Sequence, residues 1–271
     1  MQATTVTAAD GVNLAVQEWG NPRGPEIVFI HGFNQAHLSW LRQVKDPQLA
    51  DEFRMITFDL RGHGSSDKPL EKERYAHQNW GDDAAAVMRA TGLRRPVLVG
   101  WSYGGNVICD YVRSFGSEGL AGINFVAGAT KSDPAFFGPG RTDYPHMFST
   151  DLATNIDHTR NFVHACFARQ PEPHDFETML AFNMVVPPQV RSAVLGRPPN
   201  PGDVLQGIRC PVLVTHGVDD RILLVALGKF TASEVPGAKL SLYDGVGHAP
   251  FWEDAPRFNR ELMEFVRLAN K

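Results

Sequence analysis

The chain has 271 residues, with 26 Lys and Arg against 30 Asp and Glu, which gives a formal net charge of −4. Hydrophobic residues make up 43% of the chain and charged residues 21%. This composition is ordinary for a globular protein and excludes a collagen, a coiled coil and a disordered chain. The length fits one large domain, or a core with an inserted subdomain.

The charge pattern, the apolar runs and the cysteines indicate which binding partners and which cellular compartment to expect. A slightly acidic chain without a Lys/Arg block offers phosphates no broad positive face, so we expect no nucleic-acid partner. The opening MQATTVTAADG has no signal-peptide pattern, and no apolar run approaches about 18 residues, so we expect no membrane partner. Cys109, Cys166 and Cys210 lie far apart without CxxC spacing, which favours a reducing compartment. We therefore predict a cytoplasmic protein that acts on a small molecule; nothing in the sequence indicates its oligomeric state.

The chain begins with a predicted hairpin and continues with buried strands. Residues 5–8 and 12–19 alternate in polarity on either side of Asp10-Gly11, which is typical of two antiparallel strands. The later apolar runs are short and rich in β-branched residues, as in strands buried on both faces of a parallel sheet. These runs are residues 27–30, 55–58, 97–99, 123–126, 212–215 and 240–243.

Segments long enough for crossover helices separate these strands. Residues 80–91 and 106–115 are two of them, and the strand-helix alternation predicts an α/β fold. The last segment opens with Asp254-Ala255-Pro256, an N-cap followed by an early proline. Phe258, Leu262, Phe265 and Val266 fall on one helical face of that segment, so we expect a C-terminal helix packed on the sheet.

Residues 130–201 have a different character. The strand signals stop there, while prolines, histidines and large apolar residues crowd together. A structureless surface loop of that length is unusual, and long insertions often cover active sites. We predict a mostly helical lid at 130–201, inserted into a core formed by residues 1–129 and 202–271.

The segment that carries chemistry is Gly100-Trp101-Ser102-Tyr103-Gly104, a GxSxG pattern directly after a strand and before a helix-compatible stretch. A strand that turns sharply into a helix leaves no room for side chains at Gly100 and Gly104. The turn would hold Ser102 in a strained conformation with its hydroxyl exposed at the sheet edge. A glycine-lined turn with a serine N-cap is the structural alternative.

A serine hydroxyl needs a base to become a nucleophile, and that base needs a carboxylate to orient it. Two later loops offer both groups. His216-Gly217-Val218-Asp219-Asp220 follows the strand at 212–215, and the run from Gly247 to Glu253, which includes His248, follows the strand at 240–243. Ligands bind at the carboxyl ends of strands in open α/β sheets, which is where both loops lie.

At this point the chain resembles the α/β-hydrolase fold superfamily. The resemblance extends over nearly the whole chain and is carried by HGF at 31–33, DLRGHGSS at 59–66, GWSYGG at 100–105 and GHAPFWE at 247–253. It points to the single-domain branch of esterases, lactonases, cofactor-free haloperoxidases/perhydrolases and carbon–carbon bond hydrolases. It implies a mostly parallel eight-stranded sheet flanked by helices, with an inserted helical lid.

The resemblance also implies residue roles. Ser102 would be the nucleophile, His248 the general base and Asp220 the acid that orients it, with Asp219 as the alternative acid. The backbone N–H groups of Phe33 and Tyr103 would form the oxyanion hole.

Other residues near these motifs have a structural or a binding interpretation. We expect Asn34 and Trp101, which neighbour the catalytic groups, to line the substrate pocket or to pack. His31, His63, Asp59 and Arg61 are expected to fix loops by hydrogen bonds. No metal-ligand spacing occurs among the lid histidines, and no phosphate loop or dinucleotide fingerprint is present, so we expect neither a metal nor a cofactor.

The sequence therefore predicts a serine hydrolase that cleaves a small, fairly apolar carboxylic ester or lactone. Ser102 at the elbow disfavours haloalkane dehalogenases and epoxide hydrolases, whose family members carry Asp there. A carbon–carbon bond hydrolase and a perhydrolase use the same three residues and remain alternatives. So does a non-catalytic ligand-binding protein on a hydrolase scaffold.

Overall fold

The fold is an eight-stranded, mostly parallel sheet with helices packed around it, as predicted. It comes from a computed structural model that describes residues 1–196 and 201–271. The sheet order is β1-β2-β4-β3-β5-β6-β7-β8. β1 and β2 pair antiparallel, β2 joins β4 antiparallel, and the remaining neighbours are parallel. The strands are β1 (Gln2–Thr7), β2 (Asn13–Gly20), β3 (Glu26–Ile30), β4 (Arg54–Phe58), β5 (Val97–Trp101), β6 (Gly122–Val126), β7 (Val212–Gly217) and β8 (Lys239–Tyr243).

The opening hairpin is confirmed, although its first strand starts three residues earlier than predicted, at Gln2. Its turn places Gly11 at φ 87°, in the left-handed region that favours glycine, and closes with a bond from the Ala8 N–H to the Val12 carbonyl. Alternation in β2 buries Leu14 and Val16 against the core.

The central strands β3 to β7 are almost wholly buried, as their apolar runs predict. The prediction of burial on both faces was wrong for β8. This strand forms the sheet edge, where Lys239 is exposed and Leu240 keeps 40% of its surface accessible. An edge strand has a neighbour on one side only, so an apolar run does not guarantee that it is covered.

The helices flank the sheet or lie between β6 and β7. Asp254 caps the last of them by accepting a hydrogen bond from the Arg257 N–H, and its predicted apolar face is buried. No helix in the described parts of the chain has the length and apolarity needed to cross a membrane. The helices are α1 (Leu41–Val44), α2 (Pro47–Glu52), α3 (His77–Ala90), α4 (Tyr103–Phe115), α5 (Leu152–Ala165), α6 (Pro173–Met184), α7 (Pro188–Leu195), α8 (Val225–Glu234), α9 (Pro250–Glu253) and α10 (Ala255–Ala269).

We call the chain between β6 and β7 the inserted segment, residues 127–211. It contains α5, α6 and α7 together with short 3-10 turns, and residues 197–200 of the predicted lid lie outside the described residues. At its centre lies Arg191, fully buried. Its guanidinium donates to Asn155 Oδ1 (2.7 Å), Thr159 Oγ1 (2.8 Å) and the carbonyls of Met147, Asn183 and Val186. One cation therefore joins α5, α6 and α7 through neutral acceptors.

Replacing Arg191 with Met should destabilise the protein. The variant removes the donors and leaves several buried oxygen atoms without partners, which should lower the free energy of unfolding by about 2–4 kcal/mol. Urea unfolding followed by tryptophan fluorescence measures it. Arg160→Met on the exposed face of α5 is the matched control and should cost less than about 0.5 kcal/mol; equal stability of the two variants would contradict this account of Arg191.

Candidate active site

Ser102 lies at the sharp turn between β5 and α4. Its backbone has φ 52° and ψ −114°, which is unfavourable for a residue with a side chain. The turn is held by the Ser102 N–H, which donates to the Val126 carbonyl (3.0 Å), and by the Ser102 carbonyl, which accepts from the Ala129 N–H (2.8 Å). The strained serine is thus tied to the end of β6.

The two glycines of the elbow are required for steric reasons, as predicted. A Cβ atom at Gly104 would lie 2.5 Å from the Ile30 carbonyl oxygen, and one at Gly100 would lie 2.7 Å from the Gly104 carbonyl oxygen. Both contacts are closer than packed atoms tolerate. The start of α4 therefore lies directly against the end of β3.

The histidine and the acid are paired. His248 Nδ1 lies 2.7 Å from Asp220 Oδ2, and both side chains are buried. Asp219, the alternative acid, is exposed, and its backbone N–H bonds the Val246 carbonyl. Since an ionised carboxylate only accepts, Nδ1 carries the proton and Nε2 is the basic nitrogen. The carboxylate that orients His248 is therefore that of Asp220.

Asp220 accepts four hydrogen bonds. Oδ1 accepts from the N–H groups of Ile222 (2.8 Å) and Leu223 (3.0 Å), and Oδ2 lies 3.1 Å from His216 Nε2 as well as against His248. Burial alone would raise the pKa of this carboxyl, but the hydrogen bonds and charges of His248 and His216 outweigh it and hold the pKa well below its ordinary value. Asp220 is therefore ionised at neutral pH.

Sequence reasoning missed His216 as a second partner of this acid. Its Nε2 also lies 2.8 Å from the Leu223 carbonyl, which can only accept, so Nε2 carries a proton shared between Leu223 and Asp220. The signal was present in the HGVDD motif, because His216 precedes Asp220 by four residues.

The loop that carries His248 is fixed from three directions. The Trp101 indole donates to the His248 carbonyl (2.8 Å), and the His248 N–H donates to the Cys166 carbonyl (2.9 Å). Glu253 accepts from the Gly247 N–H with one carboxylate oxygen and from the Arg169 N–H with the other, both at 2.8 Å. The loop is thus bonded to the elbow and to residues 166–169 of the inserted segment.

The predicted oxyanion residues lie beside Ser102. A Cβ atom at Gly32 would lie 3.1 Å from Ser102 Cβ, so the backbone of residues 31–34 passes close to the serine. Phe33, Ser102 and Tyr103 line one pocket. Tyr103 is the first residue of α4, where the aligned backbone N–H groups carry partial positive charge.

Two buried histidines brace this loop, in agreement with their predicted structural role. His31 Nε2 accepts from the Leu60 N–H and its Nδ1–H donates to the Gly32 carbonyl. His63 Nε2 accepts from the Asn34 N–H and its Nδ1–H donates to the Arg61 carbonyl. Burial lowers the pKa of His31 to about 4 and, with the charge of His31 adding to it, that of His63 to about 3. Both rings are therefore neutral acceptors at neutral pH.

The predicted role of Asp59 and Arg61 in fixing loops agrees with their contacts. Asp59 accepts from the backbone N–H groups of His37 (2.7 Å) and Ser65 (2.9 Å). Arg61 is buried and forms a two-bond ion pair with Asp83 at 2.7 Å. Both residues act on the loop that follows β4.

Asn34 and Trp101 are not among the residues that line the pocket containing Ser102. Asn34 is fully buried at φ 65°, and within the described residues its side-chain amide has no hydrogen-bond partner. Trp101 lines a separate groove with Phe251 and Phe167. Residues from the inserted segment line the Ser102 pocket instead, including Lys131, Phe137, Arg141 and Tyr144. No motif in the sequence indicated them.

The described residues contain no cluster of potential metal ligands. Within residues 1–196 and 201–271, no cluster of three or more His, Cys, Asp or Glu side chains could hold a metal ion. Cys109, Cys166 and Cys210 form no disulfide.

Comparisons with known proteins agree with the fold. The model of the alpha/beta hydrolase family matches residues 27–261. A crystal structure described as an aryl esterase from Burkholderia cenocepacia is 40% identical, with a TM-score of 0.93 over 99% of each chain. The esterase RhEst1 from Rhodococcus sp. ECU1013 is 32% identical, with a TM-score of 0.92 over 98% of this chain and 99% of that one. A bifunctional esterase/perhydrolase of Acinetobacter calcoaceticus is 27% identical over 97% of this chain and 99% of its own length.

The neutral histidines predict a loss of stability in mild acid. Their pKa values lie below the ordinary 6.5, so the unfolded chain takes up protons first as the pH falls. The free energy of unfolding should fall by up to about 1.4 kcal/mol per pH unit for each histidine below pH 6.5. Urea unfolding between pH 7 and pH 5 measures this slope.

His63→Gln should reduce the slope because one of the two groups no longer titrates. His77→Gln, which removes an exposed histidine at the start of α3, is the control and should leave the slope unchanged. A stability that stays flat between pH 6.5 and pH 5 in the wild type would contradict the neutral state of His31 and His63.

Proposed function

The chain belongs to the α/β-hydrolase family, and we propose that it is a serine hydrolase that cleaves a small carboxylic ester or lactone through an acyl-enzyme. The observation that carries this proposal is the buried His248–Asp220 pair, whose loop is bonded to the residue that precedes the strained Ser102. The esterases among its relatives support the same reaction class.

In the first half-reaction, His248 Nε2 removes the proton from Ser102 Oγ as that oxygen attacks the carbonyl carbon of the substrate. The carbonyl oxygen becomes negatively charged and accepts hydrogen bonds from the N–H groups of Phe33 and Tyr103. The tetrahedral intermediate then expels the alcohol oxygen, which takes the proton from His248.

In the second half-reaction, His248 removes a proton from a water molecule, and the resulting hydroxide attacks the acyl-enzyme. Collapse of the second tetrahedral intermediate releases the carboxylic acid and returns the proton to Ser102. Asp220 stays ionised throughout and stabilises the imidazolium that forms twice. This cycle needs no cofactor and no metal ion.

We assign the role of lid to residues 130–201, since side chains from this segment line the pocket above Ser102. Aromatic and aliphatic side chains line part of this pocket, which suits a substrate with an apolar portion. The cysteines form no disulfide, which supports a place in the cytoplasm.

Perhydrolysis is the second candidate function, favoured by the bifunctional relative from Acinetobacter calcoaceticus. Hydrogen peroxide would replace water in the second half-reaction, so that the acyl-enzyme yields a peracid. Peracid formation from an ester and hydrogen peroxide, detected by bromide oxidation, separates this activity from simple hydrolysis.

Ser102→Ala should lower the rate of ester hydrolysis by at least about 10³-fold, since the alanine side chain has no hydroxyl to form the acyl-enzyme. A series of 4-nitrophenyl esters from acetate to palmitate, with several lactones, measures it. Circular dichroism should be unchanged, and a fluorophosphonate should label the wild type but not the variant. Turnover by folded Ser102→Ala, or a folded wild type that neither turns over nor is labelled, would contradict the proposal.

Asp220→Asn should lower kcat by about 10³- to 10⁴-fold, because an amide no longer fixes the tautomer of His248 or stabilises its charged form. Asp219→Asn changes the neighbouring exposed carboxylate and should leave kcat within about threefold, as expected for a surface substitution. A larger loss of kcat in Asp219→Asn than in Asp220→Asn would contradict the assignment of Asp220 as the acid.

A further inference from the structure

The pocket that contains Ser102 has an uneven charge. Two of its lining side chains are cationic, Lys131 and Arg141, and none of its described lining residues is acidic. The remaining lining residues are Phe33, Ser102, Tyr103, Asn106, Ala129, Ser132, Phe137, Tyr144, Val194, Leu195, Ile222 and Leu223. An apolar ester needs neither cation.

Arg141 is held in place by the backbone that precedes it. The Gly138 N–H donates to the Ile222 carbonyl (3.0 Å), and the Gly140 N–H donates to the Arg221 carbonyl (2.7 Å). These acceptors come directly after Asp220 in the chain, so the segment that carries Arg141 is paired with the loop of the catalytic acid. The backbone that leads into Arg141 is therefore held against the loop of the proposed acid.

The guanidinium of Arg141 packs on aromatic rings rather than on a carboxylate. Its Cζ lies 3.6 Å from the ring centroid of Phe137 and 5.0 Å from that of Tyr144. Within residues 1–196 and 201–271, it has no ion pair within 4.0 Å and no hydrogen-bond acceptor. Burial lowers its pKa, and only Tyr144 opposes that effect.

Three other arginines that are buried or half-buried have partners. Arg54 pairs with Glu18 and Arg61 with Asp83, while Arg191 donates to neutral oxygen atoms. A cation removed from water without such partners is unfavourable, and the two ring faces offset only part of the cost. An anion in the pocket would supply the missing partner.

Lys131 adds positive potential to the same pocket. Its Nζ lies 4.4 Å from the ring centroid of Phe230, and in the described parts of the chain it forms no ion pair within 4.0 Å. A planar guanidinium with several N–H donors matches a carboxylate in two-bond geometry, whereas an ammonium acts as a point charge. Arg141 is therefore the anchoring group and Lys131 the supporting one.

We propose that the substrate is an ester or lactone that carries a second, ionised carboxylate, which Arg141 binds while Ser102 attacks the ester carbonyl. This rests on the proposed function. The extra carboxylate takes no part in bond making or breaking; it positions the substrate and selects anionic esters over neutral ones of the same shape.

The test uses matched pairs of substrates that differ in one charge. In the acyl arm, mono(4-nitrophenyl) adipate is compared with its primary amide; in the alcohol arm, 4-acetoxybenzoate is compared with 4-acetoxybenzamide. In at least one arm, kcat/KM should be about 10- to 100-fold higher for the carboxylate, as expected for a charged hydrogen bond. The arm that responds identifies which half of the substrate carries the anion.

Arg141→Met should remove this preference by lowering kcat/KM for the carboxylate about 10- to 100-fold, while the amide changes by less than about fivefold. Lys131→Gln should give a smaller loss of the same kind. Arg94→Met removes an exposed positive charge before the start of β5, at the opposite end of that strand from Ser102, and is the control, which should keep the preference. If Arg141→Met does not fold, the inference is still tested by the carboxylate preference of the wild type and by the loss of that preference in Lys131→Gln.

The outcomes separate this inference from the proposed function. Equal turnover of carboxylate and amide in both arms, with Ser102-dependent hydrolysis, overturns the inference and leaves the serine hydrolase standing. An equal loss on both members of a pair in Arg141→Met assigns Arg141 a structural role and also overturns it. If no ester is cleaved, calorimetry with adipate and adipamide decides: binding of adipate alone, lost in Arg141→Met, supports the carboxylate site, and binding of neither overturns it.

Discussion

The buried carboxylate of Asp220 is the group on which the geometry of the site depends. One of its oxygens accepts from His248 and lies against His216, and the other accepts from the backbone of Ile222 and Leu223. These bonds compensate for the loss of hydration that burying an ion entails. They also shape the turn after Asp220, whose Arg221 and Ile222 carbonyls hold the segment leading to Arg141. One ion thus orients the His248 ring and shapes the turn that supports the backbone before Arg141.

Histidines in this protein have different roles because their surroundings differ. His31 and His63 are buried among backbone donors and acceptors, so they are kept neutral and act as fixed bridges between loops. His248 faces an ionised carboxylate, which stabilises its protonated form when that form is needed. Residue type alone does not distinguish a histidine that supports a loop from a candidate general base. The hydrogen-bond partner of each ring nitrogen does.

Local rules were enough to predict much of the fold, whereas the candidate catalytic residues came from the family resemblance. Alternation and the Asp10-Gly11 turn predicted the hairpin, β-branched runs predicted the central strands, and the steric need for Gly100 and Gly104 follows from a strand turning into a helix. The resemblance pointed to Asp220 with Asp219 as the alternative, and only the folded chain shows which of these adjacent carboxylates contacts His248.

Features that depend on distant parts of the chain escaped prediction. The exposure of β8 depends on its being the last strand of the sheet, which its own apolar sequence does not reveal. Arg141 lies in a short Gly/Pro-rich stretch without periodicity, and its place in the pocket depends on pairing with residues some 80 positions later. From the sequence alone, a single arginine in such a stretch is interpreted as an ordinary surface residue. Its role can be assigned only when its neighbours in space are known.

The bonds that join the His248 loop to residues 166–169 restrict how the inserted segment can be exchanged. The Cys166 carbonyl and the two oxygens of Glu253 connect residues 166–169 to the loop that carries His248. An outward movement of the whole segment would break these bonds and disturb His248. The groups that residues 166–169 contribute are a backbone carbonyl and a backbone N–H, so a segment taken from a relative would have to present these two groups at the same points to support the loop.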